Sequence, residues 1–430
     1  MYDRENFFEY YFKWIGYPHN TEAGLVSHRW SAISVLAALL GRQFTIPFGN
    51  SALMPNQYIQ IIGVPASRKS TAIKAGKKLL GLHGYSSFAP EKISLEKFLI
   101  ELHDLTWGID DEIESTEDFT LERNIFGTNN PKQAAADMDI AEMYIASDEF
   151  VDFIGRNNID FISLLGSLWD YEGVYDRKLK HSKAVYINNP TINIIAGNTH
   201  KGFNDAFPPD IQGQGFFSRL LLIHAEPTGR RITFPEPSTQ EDTVAVLEFM
   251  TRIKQHCVGT VLFTDAARDI CDKIYLNWNP LSDIRFESYS GRRFTHLLKL
   301  CIICAAARVS KIVDTQDVIM ANTLLTYAEY SMPKAMGEFG KGRNSAVSHK
   351  ILELISNAET PVTLHEIIKH VHSDLDNLNS LNDIMNGLRM ADKVQVIEGG
   401  RFLPKRQQRI LIDSELVKPS WLHTEEIKIN

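Results

Sequence analysis

The run Tyr58-Ile-Gln-Ile-Ile-Gly63-Val64-Pro65-Ala66-Ser67-Arg68-Lys69-Ser70-Thr71 constrains this chain more than any other segment. An apolar strand, a short loop ending in Lys-Ser and a helix-like stretch Ala72–Leu80 follow one another directly. The order matches Gly-x4-Gly-Lys-[Ser/Thr] in all but one position, with Arg68 in place of the second glycine. Such a loop cradles phosphates with backbone N–H groups and the positive end of the next helix. Its lysine reaches the β and γ groups and its hydroxyl ligates Mg²⁺. Gly63, Val64, Pro65, Ala66, Ser67, Arg68, Lys69, Ser70 and Thr71 are therefore the expected contacts to ATP, Lys69 acting in catalysis and Ser70 as a metal ligand. Glycine is favoured where backbone approaches phosphate closely, so the Arg68 side chain must point away.

Hydrolysis also needs an acid pair on a neighbouring strand. Met143-Tyr-Ile-Ala-Ser-Asp148-Glu149 supplies one, with Asp148 expected at Mg²⁺ or its water and Glu149 polarising the attacking water. A further strand, Thr191–Ala196, ends in Gly197-Asn198-Thr199, which sets an amide beside the expected γ-phosphate. Another, Gly215-Phe-Phe-Ser218-Arg219-Leu-Leu-Leu-Ile-His224, begins with an arginine suited to act in trans on a neighbour's nucleotide.

The chain has 430 residues, enough for two to three domains at roughly 150 residues each. Residues 1–55 read as an N-terminal helical segment, 56–235 as an α/β core, 236–340 as helical again, and 341–410 as three helices followed by a hairpin, with a tail at 411–430. Strands are expected at Tyr58–Val64, Tyr85–Phe88, Met143–Ser147, Thr191–Ala196 and Phe217–His224. The 341–410 order is that of a winged helix, a domain that binds DNA or other proteins, with Arg389 and Lys393 basic on its third helix and Arg401, Lys405, Arg406 and Arg409 near the wing. The four cysteines include no pair of Cys-x-x-Cys units, and Met1–Trp14 lacks a basic-then-apolar pattern, so reduced thiols and a cytoplasmic location are expected. The longest apolar stretch, Ala32–Leu40, is far short of the roughly 18 residues of a membrane span, and no membrane partner is expected.

The ordered set Gly63…Lys69-Ser70, Asp148-Glu149, Asn198, Ser218-Arg219, Arg292-Arg293 and a helical lid resembles a phage and prophage group of helicase-like P-loop ATPases, often linked to primases. The block Leu164–Tyr175 and Asn189-Pro190 add to the likeness, which spans about residues 25 to 330. More distantly the chain is similar to the minichromosome-maintenance and superfamily-three helicases of the AAA+ class. The resemblance implies an AAA+ core with a lid, a hexameric ring with ATP between subunits, Arg219 as the finger, and Arg292 or Arg293 as a second sensor. It also implies a hairpin that grips nucleic acid inside the ring. Arg177, Lys178, Lys180 and Lys183, four basic residues within seven, are the candidate contacts to single-stranded DNA.

The expected function is thus a ring motor acting on DNA in replication, a helicase with primase or other replication proteins as partners. The alternative is a nucleotide-regulated loader or assembly ATPase that separates no strands. A formal charge of −8 argues against a polycation, yet eight acids between Glu101 and Asp118, with no Lys or Arg among them, equal that whole excess. The rest of the chain is neutral overall and is compatible with a DNA-threading ring.

Overall fold

The computed structural model describes residues 5–108, 131–179, 184–207, 215–281, 283–336, 343–358, 360–375, 378–390, 394–397, 401–404 and 415–422. They form two compact units, residues 1–337 with 415–430 and residues 338–414.

In the first unit α1 (Phe7–Trp14) is capped by the Asn6 side chain, which accepts from the Glu9 N–H, and buries Phe7, Tyr11 and Trp14 at helical spacing. α2 (Leu25–Leu40) is buried on almost every side. The hairpin of β1 (Phe44–Phe48) and β2 (Ser51–Leu53) precedes β3 (Tyr58–Gly63), in which every residue is buried. α3 (Lys69–Leu82), α4 (Leu95–Trp107) and α5 (Pro131–Ala136) lead to β4 (Glu142–Ser147). Then follow α6 (Phe150–Ile154), α7 (Ile159–Leu168) and a hairpin of β5 (Val174–Lys178) and β6 (Ala184–Asn188). β7 (Thr191–Asn198) and α8 (His200–Ala206) come next, and β8 (Leu220–Ala225) starts after a 3₁₀ turn at Phe217–Arg219.

β4, β7, β3 and β8 lie side by side in that order, all parallel. Their mostly apolar, largely buried runs are what a parallel sheet covered on both faces requires. Ile62 stands opposite Asn198 and Gly63 opposite Ala225, so the carboxyl ends of the strands gather along one edge. The expected strand Tyr85–Phe88 is reduced to a single parallel bridge between Phe88 and Tyr144. Pro90 follows two residues later and has no N–H to extend the pairing.

After β8 come α9 (Gln240–His256), β9 (Gly259–Thr260), β10 (Leu262–Phe263), α10 (Asp265–Asn277), α11 (Glu287–Ser290), α12 (Arg293–Ala307), β11 (Ile312–Val313) and α13 (Thr315–Met336). This region and the N-terminal segment, which the sequence pattern sets apart, belong to the same compact unit as the sheet. β9 pairs with β1 and α13 packs on β8, which ties the layers together. The tail belongs here too. Asn322 donates to the Leu416 carbonyl at 2.9 Å, Arg29 to the Leu422 carbonyl at 2.7 Å, and the Lys418 N–H to Thr323 Oγ1 at 3.1 Å.

The second unit runs α14 (Arg343–Asn357), β12 (Val362–Thr363), α15 (Leu364–Val371), α16 (Leu378–Met390), β13 (Val394–Ile397) and β14 (Arg401–Pro404). β14 is the middle strand of an antiparallel sheet, and Val347, Ile351, Ile355, Ile367, Leu381 and Val394 build a core of their own. Arg389 and Arg401 are exposed; Lys393, Lys405, Arg406 and Arg409 lie outside the described residues.

Between α12 and α13 an ion pair is fully enclosed. Arg293 Nε lies 2.7 Å from Glu329 Oε1, its Nη2 donates to Asn322 Oδ1 at 2.8 Å, and the Tyr289 hydroxyl donates to Glu329 at 2.8 Å. Arg293→Met would leave that carboxylate buried and unpaired, so a loss of about 3–5 kcal/mol is expected. Urea unfolding of the variant measures it, and a loss under about 1 kcal/mol contradicts the enclosure.

Candidate functional site

Gly63 ends β3 against the neighbouring strand so tightly that a Cβ there would stand 2.2 Å from the Ala225 carbonyl oxygen. The loop then turns through Ala66 at φ 66° and Arg68 at φ 60°, ψ 20°, both in the left-handed region that glycine prefers. These are the two positions where glycine would be the ordinary choice. The Arg68 side chain does turn away, its Nε 2.7 Å from Glu22 Oε2. Glu22 also accepts the Ile232 N–H at 2.9 Å. That backbone bond, with Arg68 behind it, holds its carboxyl below the usual range. Ser67 Oγ is buried with no partner, and no side chain caps the start of α3.

Lys69 opens α3 and is 5% exposed. Burial lowers its ammonium from the ordinary range, while the Glu149 and Asp148 carboxylates pull the other way. Those carboxylates follow β4, and Asn198 ends β7, so all meet the loop at the carboxyl edge of three adjacent strands. Gly197 keeps the packing close, because a Cβ there would stand 2.5 Å from the Asp148 carbonyl. Asp148 is held by Lys74 on α3 at 2.5 Å, and Glu149 Oε2 accepts the Thr199 N–H at 3.4 Å. Asn198 is wholly buried and donates to Gln60 Oε1 at 2.7 Å, which leaves Asn198 Oδ1 and Gln60 Nε2 without partners. Sequence reasoning misses Gln60 and Lys74. A glutamine inside an otherwise apolar strand is the signal for the first, whereas Lys74 stands out in no way from other helix-surface lysines.

Among the described residues no group of three or more His, Cys, Asp or Glu could hold a metal. The Ser70 hydroxyl and Asp148 carboxylate are nevertheless oxygen donors of the kind a hard cation takes when phosphates and water complete its shell. Open space lies at the carboxyl end of β8. A cleft of about 350 Å³ lies between the start of α2, the end of β8 and α13, and Trp30, His224, Tyr327 and Leu422 line it. The Tyr327 hydroxyl and His224 Nδ1 are buried there without partners. A shallower hollow of about 450 Å³ adjoins Ala66, Arg68, Thr228 and Arg230.

Arg219 stands at the amino end of β8, at the other edge of the sheet from the loop. It donates to the Gly215 carbonyl, and its guanidinium carbon lies 5.8 Å from the Trp169 ring centroid. Arg292 shares the same ring at 5.7 Å. Arg293 does not reach either edge, being held by Glu329. The turn carrying Arg219 is fixed by His296, whose Nε2 is 3.0 Å from the Ser218 carbonyl. Burial lowers the His296 imidazole to about 4, so the ring is neutral and Nε2–H donates.

Arg177 and Lys178 lie on β5, where Arg177 is half-buried and Lys178 exposed; Lys180 and Lys183 lie outside the described residues. The hairpin is anchored on α4, since His103 Nδ1 and the Trp107 indole N–H both reach the backbone of Tyr186. Glu101 and Asp104 of the acidic run are on α4; its portion from Asp110 to Asp118 is outside the described residues.

Two stability measurements test this geometry. Arg68→Ala keeps the left-handed strain and loses the exposed ion pair, whereas Arg68→Gly relieves the strain, so the glycine variant should be the more stable by about 1 kcal/mol. Between pH 6.5 and 4 the unfolded chain binds a proton that native His296 refuses. Stability should therefore fall as pH drops through that window, by up to about 3 kcal/mol from this residue, and His296→Gln should flatten the slope. No family model matches the chain, and no curated protein matches it.

Proposed function

We propose that the chain is an ATP-hydrolysing ring motor that acts on DNA as a helicase, with an AAA+ type core, a helical lid and a winged-helix second unit. One observation carries the reading. Lys69, Asp148, Glu149 and Asn198 converge at the carboxyl edge of three adjacent parallel strands, where open α/β sheets bind their ligands. The orphaned Ser67 hydroxyl and the ammonium of the largely buried Lys69 are donors that fit a triphosphate. The hollow that adjoins Ala66 and Arg68 leaves room for the rest of the nucleotide.

Ser70 and Asp148 would hold Mg²⁺, which when bound supplies positive charge at the phosphate oxygens. Lys69 neutralises charge on the β and γ groups. Glu149 orients the attacking water and takes its proton as the bond to the leaving ADP oxygen breaks. Lys74 occupies Asp148 and must share it once a cation is bound. Asn198 gives its amide N–H to Gln60 and keeps an unpartnered carbonyl oxygen, which can accept from the attacking water. Arg219 lies at the opposite strand ends and so cannot serve its own loop, which favours a hexameric ring in which it serves a neighbour's. Arg292, placed beside Arg219, takes the second-sensor role in the same direction. The β5–β6 hairpin, with Arg177 and Lys178 on its first strand, is the surface for single-stranded DNA.

Glu149→Gln should cut turnover by about 10²- to 10⁴-fold while ATP binding persists. Equal inactivity of wild type and variant would end the hydrolase reading. Replacing Arg177, Lys178, Lys180 and Lys183 by alanine together should weaken single-stranded DNA binding and make it less salt-dependent, by about 0.7 in log–log slope for each phosphate no longer neutralised. Turnover that single-stranded DNA fails to stimulate points instead to a loader or assembly ATPase.

A further inference from the structure

A single indole gathers three cations at the end of the sheet away from the phosphate loop. Arg219 and Arg292 lie 5.8 and 5.7 Å from the Trp169 centroid, and the Lys299 ammonium lies 4.2 Å from it. All three fall within the roughly 6 Å over which an aromatic face attracts a cation. Lys299 is fully buried and is held at 2.6 Å by both Asp170 and Asn56. Asn56 in turn donates to the Trp169 carbonyl at 2.7 Å, and the His296 ring packs 5.3 Å from the indole. Trp169 itself is 1% exposed, so neither the ring nor Lys299 can touch a ligand.

Among the described residues the charges do not balance. Asp170 is engaged by Lys299, and among the described residues no carboxylate forms an ion pair with Arg219 or Arg292. Arg219 Nε is buried without a partner. Burial and then the nearby Arg292 hold the Arg219 guanidinium below its ordinary range, so like charges are kept together at a place where an arriving anion would relieve them. Packing for stability alone gains nothing from two adjacent, partly buried guanidinium groups that have no ion-pair partner among the described residues.

We propose that Trp169 and Lys299 are positioning residues: the indole, fixed from behind by the Lys299–Asp170–Asn56 cluster, orients Arg219 and Arg292 as one receptor for a phosphate of a neighbouring copy's nucleotide. The proposal rests on the ring-ATPase reading above. Neither residue is catalytic, because neither meets the reacting atoms; both act through the two arginines.

A subunit-mixing experiment tests it. Trp169→Phe and Lys299→Met should each lower kcat about tenfold or more while the KM for ATP stays within about threefold, since the variant's own phosphate loop is intact. Each should melt as one cooperative unit. Mixed in equal amounts with Lys69→Ala subunits, which have a dead loop and an intact finger, either variant should regain turnover toward about a quarter of wild type, the share of wild-type-like interfaces in a randomly mixed ring. Unchanged kcat in both variants overturns the proposal. So does lowered kcat with no recovery on mixing, provided Arg219→Ala does recover with Lys69→Ala, because the defect is then general rather than confined to the finger. If Arg219→Ala and Lys69→Ala also fail to complement, the ring reading itself falls and the proposal falls with it.

Discussion

Because β3 is hydrogen-bonded in parallel register to both β7 and β8, the residue that ends it has almost no freedom of position. Gly63 stands against the Ala225 carbonyl, and the loop that follows is launched from a point fixed on two sides. The same pairing sets Asn198 level with Ile62 and thereby aligns the tip of β7 with the loop. β4, one strand further out, carries its two carboxylates to the same edge. Four chemically active side chains from distant parts of the chain meet because three strand ends coincide, and every residue of the two inner strands is buried to keep them coincident.

The loop adopts its shape without the glycines that usually permit it. A non-glycine residue in the left-handed region costs about 1 kcal/mol or more, and Ala66 and Arg68 both stand there. Glu22 helps to hold the second of them. Its carboxylate joins the Arg68 side chain to the backbone at Ile232, while the Thr228 hydroxyl donates to the Glu22 carbonyl at 2.8 Å. The strained turn is therefore braced from the segment after β8, the strand that also limits Gly63. Strain and brace both fall on the loop between β3 and α3.

The strands that build this edge are legible because a parallel sheet covered on both faces writes itself as mostly apolar runs, as at Tyr58–Gly63 and Thr191–Asn198. The short β1–β2 hairpin has exposed ends and leaves no such run, so its residues read as part of a helical segment. The loop, the acid pair and Asn198 are readable because each motif is local in sequence. The Trp169 cluster is not, since it draws on residues 56, 169, 170, 219, 292 and 299, which only the fold brings together. Its one local trace is Lys299 inside the apolar run of α12. The choice between Arg292 and Arg293 likewise needs the fold, because adjacent residues at a helix start point in different directions and Glu329 claims one of them.

The return of the chain at residues 415–422 has a mechanical meaning. The path leaves the first unit after Gly337, at the end of α13, and rejoins it where Leu416 and Lys418 bond to Asn322 and Thr323 of that same helix. The second unit is topologically an insertion with both of its anchors on α13. That helix packs along β8. One backbone cut in either connection leaves the two units joined through the other. Trimming the chain from its C-terminus strips Leu422 from Arg29 and from the wall of the cleft at the end of β8 before it removes any of the second unit's core.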